Sequence, residues 1–217
     1  MSEIVVPRLS YDDLRQRADL FLNEFHPPKT LPVPIEEIIE FSMRLDIVPM
    51  PGLQATLEYD GFEVDGYTSS NMKEITVDEF VYKNRYNRYR FTLTHEVGHI
   101  TLHRDLYMPR RFNTIEGWKA FICDFPKESR GWFEWQAHTF AGLVLVPSDK
   151  LAEVIDRHLN DVVQAAQRNG ESFKKNPDFC WDITEDLAAK DFEVSTSVIH
   201  IRVEKDNLKE RYAHIFI

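Results

Sequence analysis

His95-Glu96-Val97-Gly98-His99 is the stretch whose residue types and spacing can do chemistry. On an α-helix, positions i and i+4 share a face, so both imidazoles can reach one metal ion. Zinc suits neutral imidazole nitrogens in tetrahedral geometry. Glu96 stands beside the first histidine, where a carboxylate can take a proton from water activated by that ion. By residue frequencies the pattern arises by accident in about one chain in a hundred or fewer at this length. The competing reading is a solvated helix with two surface histidines and an acid. Phe91, Leu93, Val97, Ile100 and Leu102 argue against it, because they mark a largely buried helix. Burying two histidines and a glutamate without partners would be costly.

A catalytic zinc takes a third protein ligand and keeps a fourth position open. The candidates are His103, Asp105, Glu134 and His138. His103 lies about 6 Å further along the axis than His99, so the helix would have to break for it to share the ion. Asp105 stands where a metzincin carries its third ligand, but that pattern needs a glycine at 102, where this chain has leucine. Glu134, on a second helix, is the better candidate, and Ala137 and Ala141 at i+3 and i+7 give that face a small surface for close packing. His138, one turn after Glu134, and His103 can each hold a ligand in place from outside; His138 can also replace Glu134 or simply be a packed helix histidine. His103, Tyr107 and Tyr89 are candidates for steadying the oxyanion by proximity in sequence alone.

The elements that must position these residues follow from periodicity. Ser10 caps a helix whose apolar residues are Leu14, Ala18, Phe21, Leu22 and Phe25, and His26-Pro27-Pro28 ends it. A second helix fits Ile35 to Arg44. Ile47-Val48, Ala55 to Tyr59, Gly66 to Thr68 and Glu74 to Val77 read as short strands of a mostly antiparallel sheet, with Asp60-Gly61 as a hairpin signal. Arg85 to His103 is the central helix. Arg104 to Arg130, with Pro109, Gly117 and Pro126, reads as a long loop holding a short helix around Trp118 to Phe121. Helices then fit Trp132 to Leu145, Pro147 to about Arg168, and two shorter stretches joined at Val194-Ser195. The aromatics Trp118, Phe121, Phe125, Trp132, Phe133 and Trp135 crowd the region before Glu134, either as a core patch or as an apolar groove beside the metal.

With 26 Lys and Arg against 36 Asp and Glu, the chain carries a net charge of −10, which disfavours a phosphate backbone as default partner. Cys123 and Cys180 show no metal or disulfide spacing and are expected to be reduced. No signal peptide or membrane-length apolar run is visible, so a soluble, cytoplasmic protein is expected. The tail from Leu187 to Val203 has helix-turn-helix character, but its second helix offers Ser197, His200 and Arg202 outward, a poor base-reading set.

Arg88 to His103 resembles the active-site helix of the ImmA/IrrE family of metallo-endopeptidases. Glu134 to Ala141, continuing through Leu145-Val146-Pro147, resembles that family's glutamate-bearing helix. Pro34 to Ile39 and the sheet after it are similar to the segment preceding the family's active site. The likeness covers residues 31–150 and, more weakly, Leu187 to Val203. It implies a thermolysin-like zinc site with His95, His99 and Glu134 as ligands and Glu96 as general base. It also implies a specific protein substrate, usually a helix-turn-helix repressor cut once to switch on stress or mobile-element genes. The chain departs from the family at His138, where Asn or Asp is usual, which bears on the hydrogen bonding and metal preference at that position.

The expected architecture is α+β, a minimal zincin-like metallopeptidase. An N-terminal helical extension (1–30) leads into a peptidase domain (31–150) with a small antiparallel sheet and the active-site helix. A helical C-terminal part (151–217) follows, helix-turn-helix-like at 183–205. The expected cofactor is Zn2+, with Mn2+ accepted by the same ligands. The expected circuit is one of stress, mobile-element or toxin–antitoxin regulation. The alternative is a catalytically silent, metal-containing module that grips a transcription factor or DNA. Glu96 speaks against it, since a purely structural site has no use for a base beside the metal.

Overall fold

The computed structural model describes residues 5–56, 64–112, 114–168 and 176–216. The chain divides into two compact units, one of residues 1–28 with 34–144 and one of 29–33 with 145–217.

In the first unit, helix α1 (Tyr11–Phe25) begins where Ser10 and Asp13 close a reciprocal capping box. It buries Leu14, Ala18, Phe21 and Leu22, the stripe expected from the sequence. Helix α2 (Ile35–Glu37) runs on as a π-helical turn (Ile38–Ser42), burying Ile35, Ile38 and Ile39. Strands β1 (Asp46–Met50), β2 (Gly66–Thr68) and β3 (Glu74–Asp78) form a sheet of order β1-β3-β2. The α+β class holds, but the sheet is mixed: β2 pairs with β3 antiparallel, and β1 pairs with β3 parallel. Connection length explains the difference. Thr68 and Glu74 are joined by a tight turn, in which Asn71 accepts from the Lys73 amide at 3.0 Å, so β2 must return antiparallel. The long connection from Met50 to Glu74 leaves room for β1 to run alongside β3 in the same direction.

Leu53–Thr56 forms a helical turn, α3, where the sequence suggested a strand beginning at Ala55. The remainder of that strand and the Asp60-Gly61 hairpin lie outside the described residues. Asp78, at the end of β3, caps α4 (Glu79–Asn84) by accepting from the Phe80 and Val81 amides. Helix α5 (Tyr86–Leu102) follows and is buried on nearly all sides, as a helix between a sheet and another helix must be.

The span from Arg104 to Arg130 is largely helical rather than a loop. It holds α6 (Arg104–Tyr107), α7 (Ile115–Cys123) and the first turn of α8 (Lys127–Leu145). The residues read as breakers serve other ends. Pro126 stands just before α8, where a missing amide is harmless. Gly117 sits inside α7 because a Cβ there would come within 2.6 Å of the Phe112 side chain. Helix α8 buries Phe133, Ala137, Phe140 and Ala141, and Phe140 meets Phe21 of α1 edge-on at 5.7 Å.

In the second unit, α9 (Ser148–Arg168) buries Leu151, Val154, Ile155, Leu159, Val163 and Ala166 along one stripe. Helix α10 (Pro177–Phe192) packs on it, and α11 (Thr196–Lys205) packs on α10 through Ile199 and Val203. The two are joined at Glu193, which adopts a left-handed conformation (φ 52°), near the Val194-Ser195 turn read from the sequence. Helix α12 (Leu208–Arg211) follows, and after it comes a 3-10 turn (Ala213–Phe216). Among the described residues no helix is long and apolar enough to cross a membrane, and Cys123 and Cys180 are free thiols.

Candidate metal centre

The site is built where α5 and α8 touch. A Cβ on Gly98 would lie 3.1 Å from both the Cα and the carbonyl oxygen of Ala137, so the two backbones approach closely only because residue 98 is glycine. This contact brings Glu134, one turn before Ala137 on α8, to the face of α5 that carries His95 and His99. Their Nε2 atoms lie 3.0 Å apart, and Glu134 Oε2 lies 3.1 Å from His95 Nε2 and 3.7 Å from His99 Nε2. Among the described residues these three form the cluster able to hold a metal ion.

The donor set fits zinc. A tetrahedral ion with bonds of about 2.0–2.1 Å separates neighbouring ligand atoms by about 3.4 Å, and the observed separations of 3.0–3.7 Å bracket that edge. Electrostatics agree. Burial alone would lower the pKa of His95, but the hydrogen bond and charge of Glu134 outweigh it and raise it. Burial would raise Glu134, yet the close approach of His95 and His99 holds it well below the usual carboxylate range. The pocket therefore favours positive charge at the point where these atoms converge.

Glu96 is buried, and its Oε2 accepts from the Thr68 hydroxyl at 2.8 Å. Thr68 is the last residue of β2, so the sheet edge orients this carboxylate. The approach of β2 to α5 is set by Gly66, where a Cβ would meet the Thr76 carbonyl and the Thr92 methyl at 2.8 Å. His95, Glu96, His99 and Glu134 all face a cleft of about 840 Å³. Phe91, Trp118 and Ile122 give it apolar walls, and Lys119, Lys127 and Arg130 add cations on the α7–α8 side. Arg88 is ion-paired with Asp65 at its edge.

The sequence candidates separate clearly. His103 caps the C-terminus of α5 away from the cleft, 2% exposed, with its Nδ1 3.0 Å from His99 Nδ1 and its Nε2 3.1 Å from Gln136 Oε1. Burial, then the nearby His99, lower its pKa to about 3, so the ring is neutral. Asp105 is exposed on α6 and outside the cluster. His138 lies on the cleft wall with its ring 4.8 Å from that of Phe91, and no hydrogen bond joins it to the three clustered residues.

Of the oxyanion candidates, none of His103, Tyr107 or Tyr89 is among the residues lining the cleft. Tyr89 donates to Glu36 at 3.0 Å, and Tyr107 is fully buried beside Phe112, Phe121 and Phe133. The aromatic cluster divides the same way. Phe121, Phe125 and Phe133 form a buried core patch, with Phe133 stacked on His99 at 4.1 Å, whereas Trp118 faces the cleft. Sequence reasoning gave no role to Thr68, Gln136 or Pro7. Gln136 carried a faint signal, as a glutamine flanked by apolar positions on a helix meant for close packing.

A sequence profile of the IrrE N-terminal-like domain, Peptidase_M78, matches residues 82–204 of this chain. No curated protein matches it. Among solved structures, a Mycobacterium tuberculosis transcriptional regulator is similar at 12% identity and a TM-score of 0.48, over 88% of this chain and 46% of that one. The chain thus spans less than half the length of that protein. The matched domain covers more than half of the 217 residues, from α4 through α11, and includes both histidines, Glu96 and Glu134. The chain belongs to the Peptidase_M78 family of metallopeptidases, the IrrE N-terminal-like domain.

Proposed function

We propose that the chain is a zinc-dependent endopeptidase that cuts one specific intracellular protein, a helix-turn-helix transcriptional repressor, within a stress or mobile-element circuit. The observation that carries the peptidase part is the convergence of His95 Nε2, His99 Nε2 and a Glu134 oxygen within 3.0–3.7 Å, with buried Glu96 alongside in an open cleft. His95, His99 and Glu134 would hold the metal, which when bound lowers the pKa of attacking water and polarises the scissile carbonyl. Mn2+ suits the same ligands. Glu96 takes the proton of the attacking water and passes it to the leaving amine, held in place by the Thr68 hydroxyl. The apolar walls at Phe91, Trp118 and Ile122 seat an extended substrate segment and exclude bulk water. The repressor substrate follows from the family resemblance.

The test is cleavage of the repressor encoded beside this gene by wild type and Glu96→Gln, with metal assayed on both. The expected outcome is cleavage by wild type, a loss of at least about a hundredfold in Glu96→Gln, and equal metal in both. Equal cleavage by the two proteins would remove Glu96 from its role.

A further inference from the structure

Behind the metal-facing side of α5 runs a chain of buried polar contacts whose direction is fixed at its far end. Gln136 is fully buried, and its amide nitrogen lies 2.6 Å from the Pro7 carbonyl oxygen. A carbonyl only accepts, so the amide NH2 must face it, and the Gln136 carbonyl must face the other way. That oxygen lies 3.1 Å from His103 Nε2, which must therefore carry a proton. Among the described residues the hydrogen-bond partners of the His103 ring are this amide and His99. With the Nε2 proton turned to the Gln136 carbonyl, the His103 ring turns Nδ1 to His99 as its accepting end. His99 Nδ1, 3.0 Å away, must then donate to it. With the Nδ1 proton donated to His103, His99 presents the lone pair of Nε2, the atom that faces His95 and Glu134. Phe133 lies against both rings, stacked on His99 at 4.1 Å and tilted on His103 at 4.4 Å, so neither ring plane is free to turn.

We propose that Gln136 and His103 are positioning residues. Anchored on the Pro7 carbonyl, they hold His99 as its Nδ1–H tautomer, so that Nε2 presents its lone pair to the metal position before any metal arrives. The proposal rests on the reading of His99 as a ligand. It also gives the segment preceding α1 a part in the site, through one backbone carbonyl. Ligand histidines held by such outer partners lose about 10- to 100-fold in metal affinity when the partner is removed.

Nitrogen-15 NMR of the histidine rings in the metal-free full-length chain reads the tautomers directly, and competition with a chromogenic chelator reads zinc affinity. The expected spectra show Nδ1–H at His99 and Nε2–H at His103. His103→Leu is expected to weaken zinc binding by about 10- to 100-fold. His103→Asn, whose side-chain oxygen can still accept from His99, should stay within a few fold of wild type. Gln136→Leu should leave His103 a mixture of tautomers, with circular dichroism and thermal melting of the metal-free proteins confirming that each variant folds. An Nε2–H tautomer at His99 in the wild type overturns the proposal, as does His103→Leu binding zinc as tightly as wild type. Should the wild type take up no zinc, the ligand reading fails, and the ring spectra still decide whether the relay exists.

Discussion

Both compact units bury charged groups, and they do so in opposite ways. Among the described residues of the C-terminal unit, the buried charges Arg202 and Glu185 meet their complements. Arg202, 2% exposed, donates to the Val146 carbonyl, to Ser148 Oγ and to Asp206, the last two at 2.9 Å. Glu185 accepts from His200 at 2.9 Å, with Lys209 at 3.7 Å. In the N-terminal unit the groups at the α5–α8 contact are potential metal ligands aimed at one point, two imidazole nitrogens and a carboxylate. Charges that satisfy each other hold a fold together; ligand atoms that converge on one point can hold a cation from outside. This contrast distinguishes a structural ionic cluster from a metal site even though both contain histidine and glutamate.

Substitutions can break either side of the contrast. Arg202→Met leaves Asp206 buried without its guanidinium and is expected to cost about 3–5 kcal/mol in denaturant unfolding, while zinc content of the folded protein stays unchanged. A loss of zinc in that variant would show that the two kinds of cluster are not separable. Thr68→Val removes the donor to Glu96. A hydrogen bond to a charged group contributes about 1.5–3 kcal/mol, so kcat/KM should fall by about ten- to a hundredfold, again with zinc retained.

Gly98→Ala places a methyl 3.1 Å from the Ala137 backbone. Forcing α5 and α8 apart should cost about 1–3 kcal/mol of stability and weaken zinc binding in the same variant, because the contact that packs the helices also delivers Glu134. Retained affinity alongside lost stability would mean that Glu134 reaches the site independently of this contact. Smallest is Ser10→Ala, which removes the α1 cap outside both clusters. It should cost about 1 kcal/mol without moving zinc affinity, and a melting series with metal competition checks both.

Much of the site was legible because its signals are local in sequence. The i, i+4 histidines, the acid between them and the small residues after Glu134 each lie within one helical stretch. So do the Ser10 cap and the α1 stripe. What escaped depends on contacts between distant segments. Thr68 reaches Glu96 only through the packing of β2 on α5, and Gln136 reaches Pro7 across 129 positions of chain. The parallel pairing of β1 with β3 is invisible to alternation, which gives faces and not directions. Between Arg104 and Arg130 only a short helix around Trp118 to Phe121 was expected, inside what is α7, and the rest escaped because proline and glycine were weighed as breakers. Here Pro126 precedes a helix start, and Gly117 makes room for Phe112.

The central claim is that His95, His99 and Glu134 share one metal ion, and X-ray absorption at the zinc edge of the reconstituted full-length protein tests it most directly. The account predicts one zinc per chain, with two imidazole rings and light oxygen donors at about 2.0–2.1 Å. A sulfur shell at about 2.3 Å, a single imidazole, or no stoichiometric uptake of zinc would contradict it.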